Sequence, residues 1–303
     1  MSSQSVSSQS MSSPSAKTAP YGSWRSPITS DLIVAQAIAL SDVRLDGGTI
    51  YWLEGRPQEQ GRSVVVRGGE PATDVTPPPF NTRTRVHEYG GGSWTVSEGT
   101  VYFSNFADGR LYRQLPGASV PQPLTPAPSA RDREWRYADG VIDQHRQNWI
   151  GVREDHTQVG PARLAHHETR PGQARGAAEG EPVNTVVAVD LDGAEPGRIL
   201  LRGPDFFCSP RLSPDGRWLI ALAWDHPNMP WNGTILCLAE IGDDGEAGAP
   251  RVIAGGPAES IFQPEWSPDG TQIVFVSDRS GWWNLYGFDL ATGTTQPLAP
   301  MAA

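Results

Sequence analysis

The run from Trp218 to Trp224 reads Trp-Leu-Ile-Ala-Leu-Ala-Trp without a polar position, and Ile273 to Val276 is equally continuous. A strand with one wet face alternates apolar and polar residues, so these runs predict strands covered on both faces. Each run follows the same punctuation, Ser213-Pro214-Asp215-Gly216 in one case and Ser267-Pro268-Asp269-Gly270 in the other. Pro presets φ, the Ser and Asp oxygens accept backbone N–H bonds, and Gly supplies a positive φ, which together specify a tight turn. Short strands precede both turns, at Cys208 to Leu212 and at Phe262 to Trp266. The unit is a β-hairpin, and it recurs.

Weaker copies extend the pattern upstream. Asp46-Gly47, Glu98-Gly99 and Asp139-Gly140 read as hairpin turns, each followed by an apolar stretch. A small sheet repeated every ~40–55 residues cannot bury both of its faces alone and must lean on its neighbours, which is the signature of a propeller. The predicted class is therefore all-β, a β-propeller of four-stranded antiparallel blades, with about five blades at 40–77, 93–126, 135–202, 206–255 and 261–300. Several blades close on a similar tag, Val75-Thr76-Pro77, Leu124-Thr125-Pro126 and Leu298-Ala299-Pro300. A Pro after the last strand suits an outer edge, where a missing N–H costs no ladder bond.

In an up-and-down blade the first and third turns lie on one rim, and the second turn and the crossover lie on the other. The first and third turns here are short and Gly-rich. The elaborate segments all fall to the opposite rim: 81–92, the polar insertion 154–181, 205–207, 225–231, 259–263 and 277–283. One working face is expected, because scaffolded folds place function on such loops.

Charge narrows the partners. With 24 Lys and Arg against 34 Asp and Glu the net charge is −10, which argues against nucleic acid and anionic membrane as partners, since both call for a basic face. Cys208 and Cys237, the two cysteines, each sit in an apolar strand pattern and read as buried thiols. No apolar run approaches the ~20 residues of a membrane span. Residues 1–20 are Ser-rich and lack the basic start and apolar core of a signal peptide, so they read as a disordered tail before a propeller at 21–303, and the protein as cytoplasmic.

Candidate chemistry is sparse. A Gly-x-Ser-x-Gly nucleophile elbow is absent; Gly91-Gly92-Ser93-Trp94-Thr95 lacks the last Gly. His166-His167-Glu168 and Glu154-Asp155-His156 read as solvated loops, since adjacent side chains on an extended chain point opposite ways, and no metal or other cofactor is expected. Arg83, Arg85, His87, Glu88 and Tyr89, beside Gly90 to Gly92, concentrate charge next to backbone that can approach a ligand closely. The structural alternative is Glu88 pairing with Arg83 or Arg85 to pin a blade junction. Asp225, His226, Trp231, Asp278, Arg279 and Trp282 are further candidates for substrate or interdomain contact, although Asp278 and Arg279 could simply fix a hairpin.

The ordered segments Arg83-Thr84-Arg85-Val86-His87-Glu88-Tyr89, Val152-Arg153-Glu154-Asp155-His156, Trp224-Asp225-His226-Pro227 and Ser277-Asp278-Arg279-Ser280-Gly281-Trp282-Trp283, with the Ser-Pro-Asp-Gly hairpins, resemble the N-terminal propeller of prolyl oligopeptidase-family serine peptidases. The closest branch is the acylaminoacyl-peptidase or dipeptidyl-aminopeptidase type. The resemblance runs from about Tyr21 to Leu298. It implies a propeller that caps a C-terminal α/β-hydrolase domain carrying a Ser, Asp and His triad and admits only short peptides. It implies also a ring of more than five blades, so that five would leave the ring open; with none of the catalytic domain in the sequence, the chain reads as an inactive fragment or shortened gene product whose partners are that domain and short peptides. The alternative is a stand-alone binding propeller, such as a protein-interaction or TolB-type scaffold. A five-bladed glycosidase would need inward carboxylates flanking a sugar, and the first strands offer too few.

Overall fold

A computed structural model describes residues 18–23, 25–30, 32, 37–129, 135–159 and 181–301. Residues 1–17 of the expected tail at 1–20, the core of the polar insertion at 160–180 and the segment His166-His167-Glu168 lie outside the described residues. The chain divides into two units, Met1–Ala37 and Ile38–Ala303. In the first, Ser23 closes a turn by donating its N–H and hydroxyl to the Pro20 carbonyl at 3.1 and 2.7 Å.

The second unit holds five antiparallel sheets of four strands, each in plain sequence order. Blade 1 comprises β1 (Ala39–Asp46), β2 (Thr49–Arg56), β3 (Arg62–Arg67) and β4 (Thr73–Asp74). Blade 2 comprises β5 (Trp94–Ser97), β6 (Thr100–Ser104), β7 (Leu111–Gln114) and β8 (Gln122–Pro123). Blade 3 comprises β9 (Trp135–Asp143), β10 (Asn148–Val159), β11 (Pro182–Asp190) and β12 (Arg198–Leu201). Blade 4 comprises β13 (Phe206–Leu212), β14 (Trp218–Trp224), β15 (Thr234–Glu240) and β16 (Arg251–Gly256). Blade 5 comprises β17 (Ile261–Trp266), β18 (Gln272–Ser277), β19 (Asn284–Asp289) and β20 (Thr294–Pro297). The first strands of successive blades adjoin one another, which places them at the axis of a propeller.

The core explains the continuous apolar runs. Leu219, Ala221 and Ala223 of β14 pack with Val186 and Ala188 of blade 3, while Ile220 and Leu222 between them pack with Ile273 and Phe275 of blade 5. Both faces of the middle strand are therefore dry. Similar clusters join blade 1 to blade 2 through Val65, Trp94 and Phe103, and blade 2 to blade 3 through Tyr102, Trp149 and Val187. Among the described residues none of these clusters combines residues of blades 5 and 1, and no contact there closes the ring. The open ends show it: β18 alternates, with Ile273 and Phe275 buried and Val274 and Val276 half-buried, although its sequence is as apolar as that of β14. The expectation that Ile273 to Val276 is covered on both faces fails for this reason, since blade 5 has a neighbour on one side only.

The repeated turns close as their residues dictate. Ser213 Oγ donates to Asp215 Oδ1 at 2.6 Å and accepts the Trp218 N–H at 2.9 Å; Ser267, Asp269 and Gln272 repeat the pattern at 2.6 and 2.9 Å. These bonds hold both carboxyls below the usual carboxylate range. The closing tags do more than end a sheet. Thr76 Oγ1 accepts the Val65 N–H at 2.9 Å and Thr125 Oγ1 accepts the Leu111 N–H at 3.1 Å, each supplying a ladder bond where β4 and β8 have stopped. Arg62 and Arg110 then donate to the Thr76 and Thr125 carbonyls, at 3.1 Å and at 2.9 and 2.6 Å.

Two expectations are corrected. Asp139-Gly140 is not a turn: β9 runs through it, the hairpin closes at 144–147, and the register against β10 slips between Val141 and Ala138. Asp139 takes a positive φ of 58° as the bulged residue, and Ser209 and Gln263 bulge β13 and β17 in the same way. Likewise Glu154-Asp155-His156 is not a loop but part of β10, with Glu154 and Asp155 only 2% and 3% exposed.

Candidate functional site

The two rims separate as up-and-down blades require. Second turns and crossovers bond among themselves: Asp205 N–H to Asp225 Oδ1 at 2.8 Å, Ser260 N–H to Asp278 Oδ1 at 2.8 Å and Ser260 Oγ to the Pro230 carbonyl at 2.7 Å. On the opposite rim Asp46 accepts the Gly99 N–H at 2.7 Å, and Arg146 donates to the Gly216 and Gly242 carbonyls at 3.0 Å each. That Arg146 clamp across blades 3 and 4 makes the connector rim less plain than its short turns suggest.

At the junction of blades 2 and 3 the loop-rich rim is built on the segment after the first crossover. Thr82, Thr84 and Val86 are buried, Thr82 bridges Asn105 in antiparallel register, and the Arg83 N–H donates to the Ser104 carbonyl at 3.1 Å. That alternation throws Arg83 and Arg85 outward together. Both guanidiniums lie over the Phe106 ring, 4.9 and 5.4 Å from its centroid. With Ser104, Asn105 and Arg136 they line a shallow, solvent-open depression.

The chain then turns sharply. Glu88 N–H donates to the Arg85 carbonyl and Gly90 N–H to the Val86 carbonyl, both at 2.9 Å, and His87 and Glu88 carry positive φ values of 56° and 66°. Remote residues hold this strained turn. Glu154 Oε1 accepts the His87 N–H at 3.0 Å, while Glu154 Oε2 accepts from Arg136 Nη1 at 3.0 Å and meets His156 Nε2 at 2.9 Å. Arg136 Nη1 also donates to Glu88 Oε1 at 2.7 Å and to the Arg85 carbonyl at 2.9 Å. Glu88 therefore pairs with Arg136 from β9, not with Arg83 or Arg85 as the structural alternative supposed. The arginine holds the Glu88 carboxyl below the usual carboxylate range.

The His87 ring faces an aromatic wall: Trp224 at 5.2 Å, Phe206 at 5.5 Å and Tyr89 at 5.6 Å between centroids, with Phe206 stacked on Trp224 and edge-on to His226 at 4.9 Å. Burial lowers the His87 imidazole below its ordinary value, against a weaker upward pull from Glu154 and Asp139. His226 is tied in by Glu181 at 3.0 Å and by Asp205, which accepts its N–H at 3.0 Å.

The remaining candidates sit elsewhere. Arg279 pairs with Glu259 at 2.7 Å and lies over Tyr286 at 4.8 Å, so with Asp278 it latches blade 5 to the crossover before it. Trp231 and Trp282 are each 62% exposed. Of the residues singled out in the sequence, the structure gathers the Arg83 to Tyr89 segment with Asp225 and His226; Phe106, Arg136, Phe206 and Trp224 are not among those candidates, and Glu154 reads in the sequence as part of a solvated loop. The partners come from other blades, and no spacing announces them. Among the described residues no three His, Cys, Asp or Glu side chains are placed to hold a metal. Chemically the rim offers cations, aromatic faces and neutral imidazole, which suits binding.

No protein-family model and no curated protein matches the chain. Solved structures do. A puromycin-hydrolysing peptidase of Mycobacterium tuberculosis is 37% identical over 94% of this chain and 42% of its own, with a TM-score of 0.78. A puromycin hydrolase is 37% identical over 94% of this chain and 43% of its own, with a TM-score of 0.79. Prolyl endopeptidases share the fold, at 14% identity and a TM-score of 0.55 over 88% of this chain and 37% of theirs. The chain spans less than half the length of these relatives. Blade order, the rim segments and the extent of identity converge: this chain is a β-propeller portion of the prolyl oligopeptidase family of peptidases.

Proposed function

We propose that this propeller is the non-catalytic portion of a cytoplasmic serine peptidase, where it caps the active site of an α/β-hydrolase domain and admits short peptides. The observation that carries this reading is the 37% identity over 94% of the chain to peptidases of which it spans only 42%, in a sequence that contains no Gly-x-Ser-x-Gly nucleophile. The loop-rich rim around Arg83 and Arg85, with its exposed Trp231 and Trp282, is the surface that faces the catalytic domain. Among the described residues no helix is long and apolar enough to cross a membrane.

The test is a graft. This propeller replaces the corresponding portion of the puromycin-hydrolysing relative, and turnover of a chromogenic dipeptide is compared with turnover of casein. Dipeptide turnover with casein refused supports the filter; casein turned over at a comparable rate sinks it. The 303-residue chain alone should leave aminoacyl and acyl-aminoacyl chromogenic peptides uncut.

A further inference from the structure

The rim contains two kinds of charged group that could read a peptide end, and the structure separates them by what they already bind. Glu154 is 2% exposed and fully engaged by the His87 N–H, Arg136 and His156. Glu88 is engaged by Arg136. An α-amino group would have to displace an arginine to reach Glu154, and at Glu88 it would have to share the carboxylate with Arg136. Arg83 and Arg85 differ: both are exposed, and neither lies within ion-pair distance of a described acid, although Arg85 adds to the pull that lowers the Glu88 carboxyl. Their guanidiniums are held over the one Phe106 ring, on which a cation stacks while its N–H edges stay free. Arg136, the third cation of the concavity, is consumed by its two glutamates and contributes no net positive charge. What remains is a pair of planar donor forks beside a shallow, solvent-open depression.

From this we infer that Arg83 and Arg85, backed by Phe106, form a carboxylate-binding subsite for a short peptide. Guanidinium forks match a carboxylate bidentately. The net charge of −10 disfavours polyanions. The carboxylate comes from the peptide C-terminus or from an Asp or Glu side chain. The inference deepens the peptide-filter reading and rests on it for the ligand class.

Calorimetric titration of the 303-residue chain at low ionic strength with triglycine, triglycine amide, N-acetyl-aspartate amide and inorganic phosphate tests it. Triglycine or the acetyl-aspartate amide should bind about tenfold or more tightly than triglycine amide, the loss expected when a charge-assisted bond disappears. Which of the two binds identifies the source of the carboxylate. Arg83→Gln and Arg85→Gln should each erase the preference with an unchanged melting temperature, and Arg85→Lys should restore only part of it. Equal binding of acid and amide, binding of neither, or phosphate binding as tightly as the acids would each overturn the subsite. The graft separates the two claims. Size selection without acid preference removes the subsite alone; acid preference without size selection removes the filter alone.

Discussion

Asp139 Oδ2 accepts the Ser209 backbone N–H at 3.0 Å, tying the bulge of one first strand to the bulge of the next. The other oxygen accepts the Gly92 N–H at 2.5 Å, and the Asp139 N–H returns a bond to the Gly92 carbonyl at 2.7 Å. One side chain thus joins blades 2, 3 and 4 near the axis. Asp139→Ala leaves two backbone donors without their acceptor, at about 1–3 kcal/mol each where water cannot replace it. Calorimetry should show a loss of about 2–4 kcal/mol, and a change below half a kcal/mol would mean that water substitutes freely.

The lowered imidazole of His87 gives stability a direction with pH. In the unfolded chain His87 takes a proton near its ordinary 6.5, whereas the folded protein resists protonation until the pH is lower. Acidification below that value therefore favours the unfolded state, and the contribution is complete only above it. Between pH 7 and 5 the native chain should lose more melting temperature than His87→Asn, in which Asn tolerates the positive φ. Parallel slopes would assign the acid sensitivity to other groups.

Trp149 lies across two glycines of its own sheet, Gly140 on β9 and Gly151 on β10, and a Cβ at either would overlap its ring. The indole is 2% exposed and cannot swing out without opening the junction of blades 2 and 3. Gly140→Ala or Gly151→Ala should cost about 3 kcal/mol or more by overpacking. The control is Gly256→Ala, where nothing lies within 4 Å and the change should stay under about 1 kcal/mol. Similar denaturation midpoints for all three would refute the packing argument.

The unclosed ring leaves apolar faces at both end blades. Leu40, Leu45 and Ile50 are 68%, 71% and 52% exposed, and Phe262, Leu285 and Leu298 are 54%, 38% and 39% exposed. Surfaces of this kind seek a cover. In sedimentation velocity the chain alone should run heavier than a monomer, and Leu45→Glu with Ile50→Glu should shift it back. A monomeric native chain would show that these faces stay wet without consequence.

The sequence by itself determined the strands and the turns between them, because those depend on near neighbours: Ser213, Asp215 and Trp218 close their hairpin within five residues. It also marked the Arg83 to Tyr89 segment, where charge and glycine crowd together. Only the tertiary structure decided that Asp139-Gly140 is a bulge, that Glu154 is buried, that Glu88 belongs to Arg136, and that β18 has a wet face where β14 has none. Each of those outcomes is set by what another blade brings against the residue. The contacting groups lie tens of positions away along the chain, and local pattern carries no record of them.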